Sequence, residues 1–111
     1  MTNIDKLSKI SYNNGMDFTN HSIVRCQQRG ISEEVAAFIF KYGNFVRTHN
    51  DRKYFINKSK LKKLFQKHKP FILKNDKEIL STAVIANNKT IITTMKISKK
   101  INWSWYEVYE A

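Results

Sequence analysis

The spacing of apolar residues switches between a helical and an alternating period along the chain, and the switches mark out its elements. From Asn20 to Arg29 the pattern is helical, with Thr19 or Asn20 placed to cap the start and Gly30 placed to take the left-handed conformation that ends a helix. Ser32 then caps a second helix, Glu33–Tyr42, with both glutamates at the positive end of its dipole and Gly43 as its stop. At about 100° per residue, Val35, Phe38, Ile39 and Tyr42 fall on one arc and form a core-facing stripe. The two helices read as a hairpin.

After Gly43 the period becomes alternating. Residues 44–49 and 52–57 read as paired strands around the turn Asn50, Asp51. Residues 59–69 return to helical spacing, with Leu61, Leu64 and Phe65 on one side and Lys60, Lys62, Lys63 and Lys67 on the other, and Pro70 is expected to end that helix. Residues 78–86 and 90–97, rich in β-branched side chains around "NNK", give the strongest hairpin signal. Residues 1–17 are polar, with a turn at "NNG", and predict a loose arm or one short strand. The late segment "NWSWYEVYE" predicts an edge strand or an aromatic flap. This order predicts an α+β fold, with two helices packed on one face of an antiparallel sheet and the opposite face open to a ligand.

A chain of 111 residues fits one domain and is long enough for a core of its own. Its charge changes the picture more than its length does. Twenty Lys and Arg against nine Asp and Glu leave +11, with a pI near 9.9, a self-repulsion that a polyanion would relieve. Nucleic acid is the commonest such partner. A general lysine-rich composition would give the same excess, and that alternative stays open. No segment is basic on one face and broadly hydrophobic on the other, and no run approaches the roughly 18 apolar residues of a membrane span, so no membrane partner is expected. Cys26 is the single cysteine, and the first twenty residues lack the apolar core of a secretory signal. Both features point to action in a cytoplasm, either where the protein is made or after delivery.

The candidate chemistry lies on the first helix. Positions 21, 25 and 29 advance about 40° per step, so His21, Arg25 and Arg29 cover roughly 80° of one face. Arginines one turn apart can grip a phosphate in two-pronged fashion, and a histidine one turn further can exchange a proton near neutral pH. The same spacing also suits three ordinary exposed helix positions.

The stretch "HSIVRCQQRGIS" resembles the His-Ala-x-x-Arg-x-x-x-Arg-Gly-Ile-Ser signature of the family called domain of unknown function 4258, with Ser22 in place of the usual alanine. The resemblance extends over about residues 19–97, through "EEVAAFIFKYG" to the strand "TIITTMKI". That family has been grouped with the compact ribonuclease fold of RelE-type messenger interferases, barnase and the colicin tRNases, many of them toxins. The resemblance implies two N-terminal helices followed by a four-stranded antiparallel sheet, and it points to His21, Arg25, Arg29 and a strand threonine, Thr93 by best match with Thr94 adjacent. The activity it implies is metal-independent cleavage of RNA through the ribose 2′-OH. His21 would move a proton, Arg25 and Arg29 would neutralise the phosphorane, and Thr93 would hydrogen-bond a phosphate oxygen. The expected partners are RNA and an acidic antitoxin or immunity protein.

Further RNA contacts are expected at Arg47, Arg52, Lys53 and Tyr54 in the first strand pair and at Lys62 and Lys63 on the third helix. Tyr54 and Phe55 alternate across a strand, which predicts one in the core and leaves the other for a base, although both suit a core. His49, beside Arg47 and Arg52, is a reserve general base, and His68 suits packing or solvent. Asp51, Asp76, Glu78, Glu107 and Glu110 show no paired spacing, and His49 and His68 lack partners for zinc, so no metal or small-molecule cofactor is expected. Two non-enzymatic alternatives remain: an inhibitor or binding module from a mobile element, and a duplex DNA regulator. The latter lacks an Asn or Gln reader at a recognisable spacing.

Overall fold

The structure, a computed structural model, describes residues 11–12, 16–48, 50–97 and 108–110. Its elements are β1 (Ser11–Tyr12), β2 (Met16–Phe18), α1 (Asn20–Arg29), α2 (Glu33–Tyr42), β3 (Asn44–Arg47), β4 (Arg52–Phe55), α3 (Lys58–Leu80), β5 (Thr82–Asn87), β6 (Thr90–Lys96) and β7 (Val108–Glu110). The fold is α+β, as the pattern predicts. Among the described residues the sheet has the order β1-β2-β6-β5-β4-β3-β7. It is larger than the expected four-stranded antiparallel sheet and is mixed. β3, β4, β5 and β6 are antiparallel neighbours, but β2 runs parallel to β6, and β1 and β7 add an edge on each side. The edge strands are two or three residues long, too short for a period to show in the sequence.

Local chemistry sets the first two helices. The Thr19 hydroxyl accepts from Ser22 N–H, and Gly30 ends α1 at φ 64°, ψ 34°. Ile31 N–H reaches back to the Cys26 carbonyl at 2.8 Å, closing the left-handed C-terminal motif. Ser32 accepts from Glu34 and Val35 N–H at the start of α2, and Glu78 Oε2 receives Ser32 N–H at 2.6 Å, tying that cap to the end of α3. Ile23 and Cys26 of α1, Val35 and Ile39 of α2, and Ile72 and Ile79 of α3 close over Phe18, Tyr54, Val84 and Ile91 of the sheet to make the core.

Two expectations fail. The helix expected over residues 59–69 does break just before Pro70, at His68 (φ −129°, ψ 31°), but a second helical stretch that was not expected starts there and carries α3 on to Leu80. A proline without its N–H is tolerated in the first turn of a helix, and here it sits in the first turn after the break. The restart buries Ile72 and Ile79, seven residues apart on one helical face. Residues 78–80, expected to open a strand, are the last turn of α3. The His68 ring packs on Tyr42 at 4.5 Å and Phe38 at 5.3 Å between centroids, so its place is packing.

The second failure concerns the far face of the sheet. Strand side chains alternate between faces, and the register puts Val46, Phe55 and Ala83 on the face turned away from α1. All three are buried, so this face is not the open platform expected. Apolar residues of both parities in "NFVR", "KYF" and "TAVIA" are the signature of a sheet buried on both faces.

Candidate functional site

α1 presents Ser22, Ile23 and Cys26 to the sheet and leaves His21, Gln28 and Arg29 exposed, with Arg25 half-buried. The Ser22 hydroxyl donates to the Thr19 carbonyl at 2.7 Å and is fully buried, so a small residue there lets the helix lie close to β6. The helix is also hydrogen-bonded along that strand. β2 pairs with β6 only at Thr90 and Ile91. Beyond that point α1 supplies donors where a strand would have stood: Thr19 Oγ1 donates to the Ile92 carbonyl at 3.1 Å, and Arg29 Nη1 donates to the Thr94 carbonyl at 2.6 Å.

The row His21, Arg25, Arg29 therefore divides in two. Arg25 Nε donates to His21 Nε2 at 3.4 Å, and Arg25 Nη1 reaches Gln28 Oε1 at 3.5 Å. These contacts are long and exposed, which leaves the guanidinium free to turn to a better acceptor. Arg29, by contrast, is anchored through one nitrogen to the Thr94 carbonyl of β6, while the residue as a whole stays exposed. Gln28, which sequence spacing did not single out, belongs to the same exposed cluster.

The strand threonines separate. Thr94 is fully buried on the α1 side, its Oγ1 lying 3.7 Å from Cys26 Sγ. Thr93 is half-buried opposite Ile85, on the other face of the sheet. The resemblance would place Thr93 with the arginines, yet β-strand parity turns it away from them.

The other candidates scatter. Tyr54 is 4% exposed, packed against Phe40 and Phe45 at 4.8 and 5.2 Å, and has no ring face left for a base; it is a core residue. Lys53 pairs with Val46 and Ile85 on the far face. Arg47 and Arg52 are exposed and flank an open cleft of about 420 Å³ at the tips of the β3–β4 and β5–β6 hairpins. Asn87 and Asn88 also line it, although their sequence signal was only that of a turn. Lys62 and Lys63 are exposed on the first half of α3. His49, Trp103, Trp105, Tyr106 and Glu107 lie outside the described residues.

Among the described residues no three His, Cys, Asp or Glu side chains cluster as metal ligands would, and no helix is long and apolar enough to cross a membrane. Burial holds the Cys26 thiol above its ordinary pKa, with the Thr94 hydroxyl opposing the shift and Glu33 and Glu78 adding to it.

No protein-family model, curated protein or solved structure matches this chain.

Proposed function

We propose that the protein is an endoribonuclease that cleaves RNA through the ribose 2′-OH, with α1 as its working surface. The observation that carries this reading is the exposed contact between His21 and Arg25, one helical turn apart with Arg29 on the next turn. RNA brings its own nucleophile, so cleavage needs only a proton carrier and charge stabilisation, without a metal. His21 takes the 2′-OH proton as the oxygen attacks phosphorus, the bond from phosphorus to the 5′-oxygen breaks, and that oxygen leaves with a proton taken from solvent water. A positioned proton carrier contributes roughly 10²–10⁴-fold. Arg25 moves from its weak contacts to the phosphorane oxygens, where a fork of N–H donors matches the developing charge. Arg29 adds positive charge from a fixed place. Thr93, turned to the other face, would need another part of the strand to contact.

An enzyme of this kind, carrying +11, acts as a toxin restrained by an acidic antitoxin or immunity protein that covers the row. The second reading, a non-catalytic nucleic-acid or protein binder, is favoured by the anchoring of Arg29 to Thr94, which by itself accounts for that arginine. One experiment decides between them. Pure protein is incubated with total RNA in excess chelator, alongside His21→Ala and Arg25→Lys. The enzyme reading expects fragments ending in 2′,3′-cyclic or 3′-phosphate, near-complete loss of cleavage with His21→Ala at nearly unchanged RNA affinity, and a partial loss with Arg25→Lys. No cleavage by the wild type, or equal cleavage by all three, rejects it.

A further inference from the structure

Arg47 and Arg52 sit directly opposite each other in the β3–β4 register. Opposed residues of an antiparallel pair hold their Cβ atoms about 4.5–5.5 Å apart, and like charges there are destabilising. The fold nevertheless keeps both. Each guanidinium lies over an aromatic ring of its own face, Arg52 at 4.4 Å from the Phe45 centroid and Arg47 at 5.1 Å from that of Tyr109. Such stacking fixes the plane of a guanidinium while leaving its N–H edge free to bind.

The surroundings are braced. Thr48 N–H and its hydroxyl both donate to the Asp51 carbonyl, at 2.9 and 3.1 Å, which closes the β3–β4 turn. Asn87 Nδ2 links this turn to the neighbouring hairpin through Asp51 Oδ1 at 3.3 Å and the Asn50 carbonyl at 3.4 Å. Asp51, the carboxylate lining the cleft among the described residues, thus already serves as an acceptor.

The pair also shares a side and an end of the sheet with His21. Thr94, Val84 and Tyr54 are cross-strand neighbours on the α1 face, and Arg52 is two residues from Tyr54 on the same strand. Arg52 is level with Ala86 and hence with Ile91, whose carbonyl receives the Thr19 N–H at the start of α1. From β6 to β4 and β3 is about 10–14 Å at ordinary strand spacing, a span that a few nucleotides cover.

We propose that Arg47 and Arg52 form a phosphate clamp, a second subsite that grips one phosphodiester of a bound strand while a neighbouring part of the strand lies on α1. The clamp rests on the reading that the protein engages nucleic acid, and it does not depend on cleavage. A phosphate between the two guanidiniums turns a repulsive pair into a doubly charge-assisted contact.

The test uses the full chain and a fluorescein-labelled eight-nucleotide 2′-O-methyl oligouridine, which cannot be cleaved, with anisotropy followed across a salt series. Arg47→Ala and Arg52→Ala are each expected to weaken binding on the order of tenfold and to flatten the log–log salt slope by about 0.7 for each phosphate no longer neutralised. Lys74→Ala, on the exposed side of α3, is expected to lose clearly less. A deoxy oligomer of the same length should show the same losses, because phosphate alone is gripped. Without nucleic acid, Arg52→Glu should melt higher than the wild type, since it replaces a like-charge pair with an opposite one. The clamp is overturned if a variant carrying both Arg47→Ala and Arg52→Ala binds with wild-type affinity and slope, if Lys74→Ala loses as much as Arg52→Ala, if the loss is confined to the ribose oligomer, or if the wild type does not bind. Clamp-dependent binding without cleavage of unmodified RNA upholds the clamp and removes the ribonuclease reading. Cleavage by a protein whose binding ignores both arginines does the reverse.

Discussion

Replacing Arg29 separates anchoring from chemistry. Its 2.6 Å contact with the Thr94 carbonyl joins the last turn of α1 to an edge of β6 that β2 leaves uncovered. A hydrogen bond from a charged donor is worth about 1.5–3 kcal/mol. Because Arg29 is exposed, water can take over the carbonyl in the variant, and a loss at or just below the bottom of that range, about 1–1.5 kcal/mol, is expected for Arg29→Ala. With a urea dependence of roughly 1.5 kcal/mol per molar for a domain of this size, the unfolding midpoint should fall by somewhat under about 1 M. Arg29→Lys keeps one donor and should recover part of the loss. Arg25→Ala, whose contacts are 3.4 and 3.5 Å and exposed, should stay within about 0.5 kcal/mol of the wild type. Urea unfolding followed by far-UV circular dichroism checks the series, with cleavage assayed on the same samples well below the transition. If Arg29→Ala and Arg25→Ala shift the midpoint equally, the anchoring argument is refuted. Loss of activity in Arg29→Lys beyond its loss of stability would show that the remaining donors act on the phosphate.

Three further outcomes follow from the packing. Gly43→Ala should destabilise by about 2 kcal/mol by thermal unfolding, because a Cβ there would meet the Ile39 and Phe55 carbonyl oxygens at 2.5 and 2.7 Å, an overlap that outweighs the entropy gained in the unfolded chain. Thr82→Val should stabilise by about 1 kcal/mol in the same assay, since the Thr82 hydroxyl is buried without a hydrogen-bond partner among the described residues and the methyl that replaces it needs none. Because burial raises the Cys26 pKa, the folded state holds that proton more tightly than the unfolded one; stability should therefore decline as pH rises above about 8.5, the ordinary thiol value. Cys26→Ala should remove that part of the slope in unfolding curves taken from about pH 7 to 10.

The residues that fixed α1 and α2 are local: a capping hydroxyl, a left-handed glycine and apolar positions a turn apart act within four or five residues of one another, so both helices were legible with the bounds Asn20–Arg29 and Glu33–Tyr42. The cores of β3 to β6 were legible from alternation, and the charge and the row His21, Arg25, Arg29 from composition and spacing. What needed tertiary structure depends on partners far away in the chain. Helix resumes after the break at His68 because the core takes up Ile72 and Ile79, a gain that no local propensity encodes. The two- and three-residue strands exist only because longer neighbours offer them a ladder. Register and parity decided the rest: they turned Thr93 to the far face, sank Tyr54 into the core, brought the Thr94 carbonyl to Arg29 and set Arg47 against Arg52. Spacing along a chain states which side chains share a face of one element. Which element that face meets is fixed by burial and pairing across the whole fold, and there the row of three separated into a loosely held pair and an anchor.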